Sequence, residues 1–180
     1  MGTYFDTIKR SYIDVPTANG VDTSEFISAT EAVVGLFDLL GTSAFSVVQN
    51  DMNGNIKELV KNEGAPGAKG RTATEGLLWL LRGLDFTAKA LRRSIESDEE
   101  LSVSFTKAYE VTLRAHHSFV VRPIFAVAMK ACPYRKDFYA KLGQPQDVVA
   151  QKLRAWLEAL EKIVRDMQQF YEQGGYAKGL

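Results

Sequence analysis

One cysteine, Cys132, stands among 180 residues, which excludes an internal disulfide and matches a reducing compartment. Stability therefore has to come from a core, and the 46% hydrophobic share supplies one suited to a single domain spanning residues 1–180. Charge of one sign is missing as well. With 22 basic and 22 acidic side chains, no global field draws this chain to nucleic acid or an anionic membrane, so any membrane contact has to be local. No apolar run reaches the ~20 residues that span a bilayer. The N-terminus lacks a signal-peptide pattern, and Asp6 stands where a myristoylation motif carries a hydroxyl residue. These absences together point to a cytoplasmic protein.

Catalytic and metal signatures are equally scarce. The only histidines, His116 and His117, are neighbours with no Cys, Asp or Glu at ligand spacing beside them, so no metal is expected. There is no Gly-x-Ser-x-Gly elbow, and Cys132 beside Pro133 carries no signature of an activated thiol. Gly64 to Gly70 is glycine-rich but lacks the Lys-Ser/Thr of a phosphate loop, so it reads as a flexible loop. The expectation is no enzyme, no catalytic residue and no cofactor.

What the chain does have is helical periodicity, with no sustained alternation of period two. Residues 1–22 carry Tyr4, Phe5, Ile8 and Tyr12 but also Pro16 and Asn19-Gly20, and read as an arm packed on the body. A first helix opens after Asp22-Thr23-Ser24 and stops at Gly41, and a second begins near Ser43. Leu77-Leu78-Trp79-Leu80-Leu81 is apolar on every side, which suits a central helix surrounded by others. From Ser102 to Met129 one long helix is expected, with Phe105, Tyr109, Leu113 and His117 on one stripe and a kink at Pro123. A short helix follows over 135–142, and a last one runs from Pro145 to Gly174-Gly175. The fold class is all-α, one domain, with helices in more than one layer.

Three features carry candidate chemistry, each beside a plainer reading. Asp51 and Asn55, one helical turn apart, form a fork suited to vicinal hydroxyls or an amide, or simply a solvated face. Trp79 is core filler or a stacking platform. His117 is a satisfied core histidine or a hydrogen-bonding group at a pocket.

In joint order, Leu36-Phe-Asp-Leu-Leu-Gly41, Asp51-Met-Asn-Gly-Asn-Ile56, Leu78-Trp-Leu-Leu-Arg-Gly-Leu84, Thr106-Lys-Ala-Tyr-Glu110 and Ala131-Cys-Pro-Tyr134 resemble the glycolipid transfer protein family, its fungal members most closely. That resemblance implies a two-layer helical sandwich and a monomer that moves one glycosphingolipid between membranes. It implies sugar contacts from Asp51 and Asn55, a stacking plate at Trp79, and His117 at the ceramide amide region. It further implies a lipid-chain tunnel lined by Leu36, Phe45, Val48, Phe86, Leu113 and Phe125, and transient docking on a membrane surface through Phe119, Val120 and Tyr134. Two departures accompany it. The family's lysine seven residues after the aspartate is Glu58 here, and the segment between Asn55 and Trp79 is shorter than in the family; if the missing residues follow Lys57, Lys57 stands in for that contact, and if they do not, the headgroup site lacks its cation. Alternatives are a ceramide phosphate carrier, which by resemblance places arginine where Trp79 stands, and a helical module that senses lipid or binds protein without transferring.

Overall fold

The computed structural model describes residues 2–41, 46, 49–50, 52–53 and 72–178. Among these are six α-helices: α1 (Thr23–Leu40), α2 (Thr72–Glu96), α3 (Leu101–Val111), α4 (Val121–Lys130), α5 (Arg135–Leu142) and α6 (Gln146–Gly174). Short 3-10 turns cover Tyr4–Asp6, Tyr12–Asp14 and Leu113–Ala115. No strand occurs among the described residues, only the isolated bridges Thr3–Gly143 and Ala18–Gly20. The chain is an all-α, two-layer helical sandwich.

Local chemistry accounts for the helix ends. The Asp22 carboxylate accepts the Glu25 amide at 2.9 Å to cap α1, and Gly41, at φ 69°, closes it in a conformation that costs a side-chain-bearing residue. Pro145 precedes α6, with Asp147 in its positively polarised first turn, and Gly175 ends it at φ 62°.

The helix α2 lies deepest. Leu80, Leu81, Leu84, Phe86 and Ala90 are fully buried, and its main neighbours are α3 and α6. Arg92 grips Glu161 of α6 with a bidentate pair at 2.9 and 2.8 Å, and the Tyr171 hydroxyl donates to the Thr74 carbonyl at 2.7 Å. These two ties fix α6 to both ends of α2.

The first residues pack as an arm across α1 and α6. Tyr12 is buried between Phe26 and Trp156, with ring centroids 6.2 and 5.3 Å away, and its hydroxyl donates to Thr30 at 2.9 Å. The Tyr4 hydroxyl donates to the Ala32 carbonyl at 2.6 Å and lies 2.6 Å from where a Cβ on Gly35 would stand, so a side chain at Gly35 would push the tyrosine off that bond. Lys152 of α6 binds the Asp6 carboxylate, which that bond holds down to about 2.

The long helix expected over Ser102–Met129 is instead two, and the break precedes Pro123. After the β-branched pair Val111-Thr112, Thr112 adopts φ −125°, ψ −92°, and its hydroxyl bonds back to the Ala108 carbonyl at 2.7 Å. The chain then turns through Leu113–Ala115 and resumes as α4. Pro123 is the third residue of α4, where its missing N–H would have had no helical partner, so it kinks nothing.

Candidate functional site

The break in the helix brings both histidines back onto α2. Trp79 projects half-buried from α2 between the buried Leu78 and Leu80. The His117 ring stacks on its indole with centroids 6.0 Å apart and planes 17° from parallel, and His116 meets it edge-on at 6.3 Å. Arg82, one turn along α2, holds its guanidinium carbon 4.7 Å from the indole centre, a cation–π contact. Adjacent histidines diverge on a helix, but these two sit in the turn beyond Leu113–Ala115, where both reach the same indole.

His117 is fixed on every side. Its Nδ1 lies 3.2 Å from the Tyr109 hydroxyl, its ring centroid is 4.3 Å from Phe125, and its carbonyl accepts from Arg122 Nε at 3.0 Å. Burial, then the charges of His116 and Arg122, lower its pKa below the ordinary imidazole value, so it is neutral at pH 7. The pairing in which Tyr109 donates to Nδ1 leaves the proton on Nε2, a donor for a carbonyl or amide oxygen. His116 is shifted the same way by burial and by Arg82.

From this cluster an aromatic path runs inward. Phe125 stacks on Tyr109 at 5.3 Å, Tyr109 meets Phe86 edge-on at 6.4 Å, and Phe86 meets Phe105 at 5.7 Å. Polar groups therefore sit at one end of a continuous apolar interior, the arrangement an amphiphile needs. Leu36, Phe86, Leu113 and Phe125, four of the residues named for the chain tunnel, are all buried in that one core.

Asp51, Asn55 and Lys57, with Glu58, Phe45 and Val48, lie outside the described residues. The residue after Asp51 is described: Met52 is buried, and a Cβ on Gly83 of α2 would lie 3.7 Å from its side chain. Gly83 is one helical turn beyond Trp79. Gln49, just before, donates to Asp38 Oδ1 at 2.7 Å.

Phe119, Val120 and Tyr134 are exposed at 83%, 59% and 74%, and they bracket α4. Between them Ile124 and Val127 are exposed too, so Val120, Ile124 and Val127 form an outward apolar stripe at i, i+4 and i+7. Phe125, Ala128 and Met129 form the inward one. A groove of about 400 Å³ beside it is lined by Tyr109, Arg114, Phe119, Arg122, Met129 and Lys130. Sequence reasoning missed His116, Arg82, Ile124 and Val127. The i, i+3 spacing of Trp79 and Arg82 carried one of these signals. Recognising Ile124 and Val127 as outward-facing required knowing where α4 begins.

No described helix is long and apolar enough to cross a membrane. The Cys132 thiol is pushed up to about 12 by burial, which removes the thiolate needed of a nucleophile.

The family described as Glycolipid transfer protein (GLTP) matches residues 21–67 and 57–144. A curated "Glycolipid transfer protein" of Aureobasidium melanogenum is 50% identical over an alignment 188 positions long, covering 94% of this chain and 92% of that one. The crystal structure of HET-C2, a fungal glycolipid transfer protein, superposes with a TM-score of 0.88 at 46% identity, covering 94% of this chain and 97% of that one. A structure described as showing how FAPP2 selects simple glycosphingolipids using the GLTP-fold superposes with a TM-score of 0.87 at 30% identity and 98% coverage of both.

Proposed function

Since the chain belongs to the glycolipid transfer protein family, we propose that it binds one glycosphingolipid and carries it between membranes. The observation that carries this reading is Trp79, half-buried and stacked on a neutral His117 at the polar end of an apolar interior. In this proposal the indole receives the apolar C–H face of the first sugar, and Asp51, Asn55 and Lys57 bind its hydroxyls. His117 Nε2 donates to the ceramide amide oxygen, a contact for which Tyr109 sets the tautomer. The acyl and sphingoid chains enter between the layers along Leu36, Phe45, Val48, Phe86, Leu113 and Phe125.

Withdrawing each methylene from water is worth about 0.8 kcal/mol, so a ceramide does not escape into solvent on a useful timescale. Release has to occur at a bilayer. The docking surface is Phe119, Val120 and Tyr134, extended by Ile124 and Val127, so that α4 lies flat in the interface with Arg122 and Lys130 near the headgroups. The carrier works as a cytoplasmic monomer and performs no chemistry on its cargo.

Arg82 at the indole gives the competing reading, a ceramide phosphate carrier, its one support. Transfer of fluorescent glucosylceramide and of ceramide 1-phosphate between phosphatidylcholine vesicles decides between them. Glucosylceramide is expected to move well above the vesicle-only rate and faster than the phosphate. Trp79→Ala is expected to lower that rate roughly tenfold or more while far-UV circular dichroism stays unchanged. Transfer no faster than vesicles alone, with tight glycolipid binding, would overturn the carrier reading in favour of a lipid sensor.

A further inference from the structure

Several of the basic residues outside the site are paired with acids, Arg10 with Glu25 among them. Lys89, Arg92, Arg93, Lys107, Lys152 and Lys162 each sit within ion-pair distance of a carboxylate. Arg135, Lys136 and Arg154 have no such partner among the described residues, and all three line one cleft of about 500 Å³ where the end of α2 meets α5 and the start of α6. Its remaining walls include Ile95, Tyr139 and Ala150. Sixteen residues of helix separate Ile95 from Trp79, about 24 Å at 1.5 Å per residue, so this cleft is remote from the glycolipid site.

The cleft is built rather than incidental. Arg135 is held over the Tyr139 ring at 4.6 Å, and its Nε and Nη2 both donate to the Ser94 carbonyl, at 3.3 and 3.2 Å. That anchors the guanidinium while leaving it further N–H donors. Tyr139 is itself fixed, its hydroxyl 3.2 Å from that of the buried Ser94. Arg154 lines the same cleft from α6, and its charge and that of Arg135 both act on the Tyr139 phenol. Of the nearby acids, Glu100 accepts the Arg135 backbone amide at 2.9 Å. Asp137 follows Lys136 in the chain, and Glu158 is one turn from Arg154 on α6.

We infer that this cleft is a second ligand site, for a phosphate monoester whose carbon skeleton rests on Ile95, Tyr139 and Ala150. Two guanidiniums and an ammonium match a dianion with three acceptor oxygens, and the cleft volume falls in the range of small-molecule sites. A soluble phosphorylated metabolite and the headgroup of a phosphatidate present the same chemistry.

The test is an amide NMR titration of the full chain with sn-glycerol 3-phosphate at physiological ionic strength, together with sedimentation on phosphatidylcholine vesicles with and without phosphatidate. Saturable shifts are expected at Arg135, Lys136, Ala140, Ala150 and Arg154. The double variant Lys136→Gln, Arg154→Gln is expected to bind roughly tenfold or more weakly, with glucosylceramide transfer unchanged. Binding of the soluble ester identifies a free metabolite. Phosphatidate-dependent sedimentation that the double variant loses identifies a lipid headgroup. Shifts that never saturate, shifts shared equally with Arg114 and Arg122, or wild-type behaviour of the double variant in both arms would overturn the assignment. Glycolipid transfer is read separately, so failure here is distinguishable from failure of the carrier reading.

Discussion

His117 couples protonation to the site. Its folded pKa lies below its unfolded value near 6.5, so between those two values the unfolded chain holds more protons. Stability from the neutral imidazole is therefore complete above about pH 6.5 and is lost as pH falls through the folded pKa. Protonation also removes the lone pair that Nδ1 offers Tyr109, so glycolipid affinity is expected to fall over the same window. NMR titration of the imidazole should give a midpoint below 6.5, and thermal melts should fall between pH 7 and 5 by less in His117→Gln. A midpoint at or above 6.5 would show that the ring is charged and solvated. Trp79 and His117 stood out in the sequence as candidates, one in the middle of an apolar run and the other on an apolar stripe, and the family resemblance supplied their proposed roles. His116 was not, since the argument against it assumed a continuous helix. Asp51, Asn55 and Lys57 lie outside the described residues, and their roles rest on the family resemblance.

At the scale of elements, α4 meets solvent with apolar side chains on its outer face. Its inner stripe of Phe125, Ala128 and Met129 packs on the aromatic path, so the outer stripe is free to change without emptying the core. Val127→Asp, at a position 64% exposed, is expected to cut vesicle association about tenfold or more while thermal stability moves by less than about 1 kcal/mol. Vesicle co-sedimentation and a thermal melt check the two halves, and unchanged association would remove α4 from the docking surface. Helix starts and stops were readable wherever a cap residue marked them, at Asp22, Gly41, Gly143 and Gly175. The break at Thr112 was not, because it follows from crowding of β-branched residues and a hydroxyl back-bond rather than from a glycine or proline. Pro123, the more conspicuous signal, was harmless in a first turn.

Across the whole molecule, the arm and α6 are tied through a second aromatic centre, away from the site. Trp156 is fully buried and touches Phe5 and Tyr12, at 5.9 and 5.3 Å. Trp156→Ala is expected to destabilise the fold by about 3–5 kcal/mol through the cavity it leaves. Glycolipid transfer per folded molecule should be nearly unchanged, as chemical denaturation and the vesicle assay would report. Loss of transfer in a folded variant would mean that the arm reaches the lipid. The all-α architecture was legible as a whole because the long apolar segments after the arm repeat at helical spacing and none alternates with period two. The closeness of Tyr4 to Gly35, and of Gly143 to the backbone of Gly2, was not, since contacts between distant segments leave no local pattern.

The two indoles are divided between these centres, which makes the chain its own optical reporter. Trp156, buried in the core, is expected to emit at short wavelength with or without cargo. Trp79 lies against two imidazoles whose protonated forms quench it, on the surface where a sugar would rest. In a Trp156→Phe variant the single remaining indole would register cargo, pH and arrival at a membrane in one emission band, with no label attached to the lipid.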